Sequence, residues 1–554
     1  MADSRFLESL DHDIPEKANN YMLSTYSIIL EAWRRGLDIN IRILKEKSGS
    51  IEPYYSISNG NKVHHFSATR GDLVSKEAKE LTKNKVTTKQ ILNKYKVPTP
   101  QGKEFEEAAT TEEIVSYATE IDYPVVVKPV SGTGGKGVIA GIQNKDELVE
   151  ALKYVREKLK SPKIILEKYF EGEDYRIYVV DGHVIAALKR IKANIIGNGN
   201  ETIKELIENK NKYRSQLPSL TNRPIKIDDE TKTLIRRAGY TLDSVLPDGE
   251  LLYIKTKNNV SAGGDSIDIT DQLSENIKQI AIDATNCFDS LPHCGIDLMV
   301  DEANNKAVII EINSRAHITQ HLFPMEGQAR DIPRSLIDFY FPETKNYNRL
   351  DSFKMFIDYD YIYDSCISRE AAEIRITKKP EGPILLTRYL INGVKLTDQF
   401  AARVKRIAYN NQVSGYIKPL NNGDISIIVG GNKNKIGQFK NSLDKYITKF
   451  SKKYDIITKK RTTSIPHGFH IHDNKVQDSI NEVTSSTNVY MKKYSNLKSD
   501  YQQLVRKVAE YEKRERILDI TQKQNKQLKK RLKLMESSTS WKITKPIRKL
   551  TRKK

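Results

Sequence analysis

Two carboxylates sit where carboxylates are expensive. Asp297 lies inside GIDLMV and Glu311 inside VIIEI, each in an apolar run that reads as a buried strand. The polar stretch DEANNK between the runs suits a hairpin turn. An ionised carboxylate among apolar neighbours needs a cation, hydrogen bonds or a metal, so the chain must fold in a way that supplies one. Side chains two apart on a strand share a face. Asn313 therefore joins Glu311, and the hairpin partner brings Asp297 beside them. Two carboxylates and an amide oxygen make an all-oxygen set, suited to Mg2+ bridging nucleotide phosphates, with Mn2+ as the alternative ion. A solvated hairpin face explains the apolar flanks poorly.

A second feature lies upstream. In YPVVVKPVSGTGGKGVIA an apolar strand ends at Lys128-Pro129 and runs into Gly132, Gly134, Gly135 and Gly137. Glycines let backbone N–H groups approach phosphate oxygens without Cβ interference. The Walker spacing is not met, and such a loop alone could equally be a flexible hairpin. Its company weighs against that. IILEKYF is an apolar strand running into a polar-aromatic hinge at Glu167 and Lys168, which could offer hydrogen bonds to an adenine edge. Asp174 follows, placed to accept from ribose hydroxyls, and Arg176 would point a permanently charged fork into the same cleft.

At 554 residues the chain is long enough for three or four structural units. The spans expected are an α/β entry region over 1–80, a chemistry-bearing domain over 81–345, an irregular connector over 346–383, a small domain over 384–455, a linker over 456–488, a coiled coil over 489–536 and a basic tail over 537–554. The formal charge of +20 is unevenly spread: residues 475–554 carry 22 basic and 8 acidic residues, and the body is nearly balanced. Three cysteines without a CxxC pair argue against a disulfide framework and fit a reducing compartment. The N-terminus lacks a secretory pattern, and no apolar run is long enough to span a bilayer. The expected location is cytoplasmic, with peripheral placement at the inner face of a membrane as a further option.

The ordered set of Asn84-Lys85, Val127-Lys128-Pro129, the glycine loop, Leu166-Glu167-Lys168, Asp174, Asp297 and Glu311-x-Asn313 resembles the ATP-grasp superfamily. The resemblance implies an α+β fold with ATP between two lobes. Lys85 and Lys128 would contact phosphates, Glu167 and Lys168 adenine, Asp174 ribose, and Asp297, Glu311 and Asn313 Mg2+. Lys89, one helical turn from Lys85, competes for its role. The segments IIGNGNETIKELIENKN, LDSVLPDGELLYIKTKNNVSAGGDSIDITD and EINSRAHITQHLFPMEGQARDIPRSLIDFYFP are similar to the ATP-grasp module of bifunctional glutathione synthetases and to cyanophycin synthetase. These relatives imply ATP-dependent peptide-bond formation. A carboxylate attacks the γ-phosphate, giving an acyl phosphate and ADP, and an amine then displaces phosphate. Arg176, Arg190 and Arg315 are candidates for the basic residue at the acyl phosphate, and SAGGDS (261–266) for the substrate side. No stretch resembles a glutamate–cysteine ligase half or a Mur-ligase half. The partners expected are therefore a small-molecule carboxylate and an amine, of open identity.

Residues 386–451 resemble an acylphosphatase in their strand–helix–strand–strand–helix order and in NGV…VSGYIKP…GDISIIVGG, which implies a ferredoxin-like fold. The family's arginine falls on Ala401 and its asparagine on Pro419, so a non-catalytic module is expected; a shifted alignment would put Arg403 or Arg388 in the arginine's place. Downstream, Tyr490, Leu497, Leu504, Tyr511, Leu518, Asn525 and Leu532 recur every seventh residue, with Tyr494, Tyr501 and Val508 beside them. This heptad pattern predicts a long coiled-coil helix and a homo-oligomer; a solvated helix packed on its own body is the alternative. SWKITKPIRKL near the end looks like a terminal motif of some bacterial glycosyltransferases. Trp541 among lysines and arginines suits an anionic membrane surface, whereas nucleic-acid binding would call for more stacking aromatics. The second reading of the whole chain is a membrane-proximal coiled-coil scaffold with a nucleotide-binding domain.

Overall fold

The computed structural model describes residues 5–12, 14–46, 49–130, 137–449, 453–472, 527–531 and 533–535. The chain divides into two units, Met1–Ile471 and His472–Lys554. In the second unit residues 527–531 and 533–535 are helical. The rest of the heptad seam and the basic tail lie outside the described residues, as do Gly132, Gly134 and Gly135. No helix among the described residues is long and apolar enough to cross a membrane.

The first unit is built on four large sheets, all antiparallel except for one parallel edge strand, Phe469–Ile471. The entry region pairs the helix Met22–Arg34, which is buried over nearly its whole length, with a sheet in the order Ile374–Ile376, Asp38–Lys45, Ile51–Ser58, Val63–Ser67, Arg70–Gly71. The outermost strand comes from the segment expected to be an irregular connector. Ile376 and Ile374 lie opposite Ile39 and Ile41, so a three-residue strand too short to show a sequence period is specified by cross-strand pairing. The same connector also forms the helix Tyr359–Ile367.

A smaller lobe holds four strands in the order Gly102–Phe105, Ile164–Lys168, Val125–Pro129, Ile139–Ile142. Their inward residues Val125, Val127, Ile164 and Leu166 pack with Ile114 and Leu148 of two helices. The first of these, Thr111–Glu120, starts at a reciprocal Thr110/Glu113 capping box.

The central sheet has five strands in the order Asp265–Asp268, His183–Ile191, Glu173–Val180, His293–Asp301, Lys306–Asn313. Its apolar face, including Ile177, Val179, Ile296, Leu298 and Ile312, is covered by helix Glu275–Asn286. An insert between two of these strands carries a small core of its own, with Ile195, Ile203, Ile207, Ile235 and Leu246. Asp265, 5% exposed, ties the insert to the sheet. It accepts from Lys210 at 2.5 Å and from Arg214 and Asn194 at 3.0 Å.

The last sheet runs Asp455–Lys460, Leu385–Asn392, Ile425–Gly431, Ser414–Pro419, Phe469–Ile471. With helices Asp398–Asn410 and Lys433–Ile447 it has the expected ferredoxin-like order. Its helix-free face is not open. Leu386, Ile428 and Ile465 share one core with Met355, Ile384 and the entry helix, so this module is packed onto the N-terminal region.

Candidate active site

The register of the central sheet gathers the candidate residues onto one face. Arg176 lies opposite Asp297, Asp297 opposite Glu311, and Gly295 opposite Asn313. Arg190 lies opposite Asp174 on one side and Ser266 on the other. Directly opposed residues project to the same side. The apolar face therefore goes to helix Glu275–Asn286, and the other face carries Asp174, Arg176, Arg190, Ser266, Asp297, Glu311 and Asn313.

On that face four of the charges are paired. Arg176 grips Asp297 in a fork, Nε to Oδ1 at 2.7 Å and Nη2 to Oδ2 at 2.8 Å. Arg190 Nη2 donates to Asp174 Oδ1 at 2.5 Å and stands 3.4 Å from Asp297 Oδ2. Burial alone would raise the Asp297 carboxyl; the guanidiniums of Arg176 and Arg190 outweigh it and hold it at about 2. Burial also raises the Asp174 carboxyl, and Arg190 offsets this only in part because the Asp297 charge is close. Glu311 and Asn313, both half-buried, take no hydrogen bond or ion pair from the described residues. Two unused oxygen groups beside a permanently ionised carboxylate fit Mg2+, which takes few protein ligands and completes its shell with phosphate and water. Among the described residues there is no cluster of three His, Cys, Asp or Glu with metal-binding geometry.

A second cluster belongs to the smaller lobe. Glu167 is held by two lysines, Lys128 Nζ at 2.7 Å and Lys89 Nζ at 2.9 Å. Burial pushes the Glu167 carboxyl up, but these two cations hold it below its ordinary range. Burial lowers Lys89 in turn. Lys85 opens the helix Lys85–Lys94, which Asn84 caps. Lys89, one turn on, is the residue that reaches Glu167. Lys168 turns its ammonium toward the carbonyls of Asp122 and Tyr123, at 3.1 and 3.0 Å. Gly137 closes the glycine loop at φ +79°, and a Cβ there would stand 2.8 Å from Pro129 Cγ, so only glycine fits. Only residues 169–172 separate the Glu167 strand from the Asp174 strand, so the hinge connects the two clusters directly.

Arg315 sits apart from the other two arginines. It bridges to Glu52 of the N-terminal sheet at 2.7 Å and donates to Ser67 Oγ at 3.2 Å.

The segment after Asn313 crosses the polar face. Gly295 permits this, since a Cβ there would be 2.4 Å from the Ala316 Cβ. His317, Gln320 and His321 follow the Asp297–Glu311 hairpin on this segment, and sequence reasoning singles out none of them.

Residues 82–319 match the family model for the ATP-grasp domain and residues 389–471 that for acylphosphatase. The chain is 32% identical over 332 residues to cyanophycin synthetase of Trichormus variabilis, covering 58% of this chain and 35% of that protein. It is 30% identical over 334 residues to the bifunctional glutathione biosynthesis protein of Clostridium perfringens, covering 58% and 41%. A solved bifunctional glutathione synthetase from Pasteurella multocida is 26% identical, covers 52% of this chain and 41% of that one, and superposes with a TM-score of 0.43. The chain spans well under half the length of the curated relatives it matches. It carries an ATP-grasp domain and, after it, an acylphosphatase-like domain.

Proposed function

We propose that the chain is an ATP-dependent carboxylate–amine ligase that forms an amide bond through an acyl phosphate and releases ADP. The observation that carries the reading is the single polar face on which Asp174, Arg176, Arg190, Asp297, Glu311 and Asn313 meet, within the span that matches the ATP-grasp domain. Lys128 and Lys89 supply positive charge for the nucleotide's phosphates beside Glu167. Asp297, Glu311 and Asn313 would hold Mg2+, which when bound neutralises charge on the phosphates. A substrate carboxylate attacks the γ-phosphorus of ATP, and the bond to the β,γ-bridging oxygen breaks, leaving ADP. Arg176, held in place by Asp297, presents a fixed cation to the oxygens that gain charge. The amine then adds to the acyl carbon, phosphate leaves, and the amine proton passes to solvent or a nearby base. A screen of amino-acid pairs for amine-dependent ADP formation tests the reaction. A chain that binds no ATP, or never turns it over with any pair, refutes it.

The acylphosphatase-like domain is assigned a structural role. Ala401 is buried in its helix and Pro419 ends its strand, positions at which neither residue can supply a guanidinium or a side-chain amide. The heptads of 489–536 are assigned to self-association and residues 537–554 to an anionic membrane surface. Sedimentation of the full chain and its flotation with phosphatidylserine vesicles test these two assignments.

A further inference from the structure

The near balance of charge over the body conceals two opposite parts. Residues 1–383 carry 53 basic and 58 acidic residues, whereas residues 384–471, the acylphosphatase-like domain, carry 16 and 4. The two parts also treat their cations differently. In the ATP-grasp domain Arg176, Arg190 and Arg214 each meet a carboxylate, as do Lys89, Lys128 and Lys210. Between 384 and 449 no lysine or arginine does so among the described residues. Unmatched like charges on one small domain repel one another, and an external anionic surface relieves that repulsion.

The excess charge lies on the outward side of the domain. Its helix-free sheet face is packed onto the N-terminal core through Leu386, Ile428 and Ile465, which leaves the two helices outside. Together these helices carry seven basic and two acidic residues. Helix Asp398–Asn410 buries Phe400, Val404, Ile407 and Ala408 and exposes Arg403, Lys405, Arg406 and Tyr409. Tyr409 is 82% exposed. Lys405 and Arg406 precede it by four and three residues, one helical turn away on the same side. The Phe400 and Tyr446 rings are 5.6 Å apart, and the Arg403 guanidinium lies 5.8 Å over the Tyr446 ring. The second helix, Lys433–Ile447, thereby lies alongside the first and adds the exposed Lys433 and Lys445.

We infer that this helix face docks on an anionic bilayer surface, with Tyr409 at the depth of the headgroups. Headgroups offer a flat array of separate anions, which several point charges on a convex face can meet at once. Tyrosine, apolar in its ring and polar at its tip, suits that boundary. A nucleic-acid strand would call for a run of stacking aromatics, and among the described residues of these helices only Tyr409 is an exposed ring. The surface belongs to the folded body, so it goes beyond the assignment of residues 537–554. It gives a use to a domain with alanine and proline at its two motif positions, and the acidic excess of residues 1–383 would turn that part away from the bilayer.

The test is tryptophan fluorescence of the full chain carrying Tyr409→Trp and Trp541→Phe, in which Trp33, 1% exposed, is the other emitter. Mixed phosphatidylserine–phosphatidylcholine vesicles should shift the emission to the blue, and brominated lipid should quench it. Pure phosphatidylcholine vesicles should do neither. Adding Arg403→Gln, Lys405→Gln and Arg406→Gln together should weaken vesicle affinity about a hundredfold at low salt, with the unfolding midpoint unchanged because all three side chains are exposed. Vesicle binding without a change in this emission, or with equal affinity in the triple variant, overturns the face and leaves the tail assignment standing. A response to short single-stranded DNA but not to vesicles gives the face to nucleic acid and overturns the proposal as well. A blue shift that persists when every lysine and arginine of 537–554 is replaced by glutamine supports the face and removes the need for the tail.

Discussion

The central sheet and the acylphosphatase-like sheet share a plan and differ in what they do with their second face. Both are five-stranded, and both bury one face under helices. On the central sheet the other face carries Asp174, Arg176, Arg190, Asp297 and Glu311, charges that face one another in register. On the acylphosphatase-like sheet the other face presents Leu386 and Ile428, and it disappears into the N-terminal core with Ile465 and Met355. Antiparallel strands alternate their faces in either case. The residue types placed on the second face decide whether it binds a ligand or another part of the chain.

The largest effects should fall on the polar face and its lysine partner. Glu311→Ala and Lys128→Ala should each lower amine-dependent ADP release by about 100- to 1000-fold while leaving the unfolding midpoint near that of wild type. Equal losses of activity and stability would mean that the face is a structural network like its counterpart, and the contrast would collapse.

Next comes the apolar face. Ile428 is 1% exposed, and Ile428→Ala should cost about 2–4 kcal/mol in denaturant unfolding through the lost transfer term and the cavity left behind. ADP release per folded molecule should be unchanged. A variant that stays stable and loses turnover would give the acylphosphatase-like domain a part in the reaction.

Much of this contrast can be read in the sequence, and the unread part shares one cause. Asp297 and Glu311 are legible because a carboxylate within an apolar run is a local anomaly. Ala401 and Pro419, the residues at the arginine and asparagine positions of the acylphosphatase motif, are found by counting along it. What stays hidden depends on register or on long-range packing. The choice between Lys85 and Lys89 turns on which side of a helix meets a strand 78 residues away. The grip of Arg176 on Asp297 needs the pairing of two strands far apart in the chain. Arg223 lies in an insert loop without any period, and only the tertiary fold brings it to Tyr21. The strand Ile374–Ile376 is three residues long, too short to alternate visibly.

A smaller effect separates two histidines, one from each region. His321 on the polar side is held at about 3 and His467 on the apolar side at about 4, each chiefly by burial. An unfolded histidine titrates near 6.5. Between that value and the folded one the unfolded chain binds more protons, so stability is complete above about pH 6.5 and falls as the pH drops below it. Asp297 does not contribute over this range, because its depressed pKa makes its share fade only from about pH 4 toward 2. The two histidines should part at neutral pH. His467 is bonded to Thr377 Oγ1 at 2.7 Å and Ser414 Oγ at 3.1 Å, whereas His321 has no such bonds among the described residues. At pH 7.5 His467→Leu should cost about 1–2 kcal/mol and His321→Leu clearly less. At pH 5 His321→Leu should be more stable than wild type. Urea melts at the two pH values decide it, and identical behaviour would erase the distinction between the satisfied and the unsatisfied ring.

The smallest expected effect is none. The chain should hydrolyse benzoyl phosphate no faster than buffer does. An acylphosphatase needs a guanidinium and an amide converging on the phosphate. Here the arginine position is Ala401, buried in the helix Asp398–Asn410, and the asparagine position is Pro419. The two other candidate arginines have local contacts of their own. Arg388 Nε donates to Ser426 Oγ at 3.0 Å, which keeps it along its own sheet. Arg403 lies 5.8 Å over the Tyr446 ring. Neither stands at the arginine position of the motif. Hydrolysis that exceeds the buffer rate and disappears in Arg403→Ala or Arg388→Ala would show a working site in the domain, and the two sheets would then differ in chemistry rather than in having it. Hydrolysis that survives both variants but is lost in Glu311→Ala would instead belong to the polar face, as water taking the place of the amine.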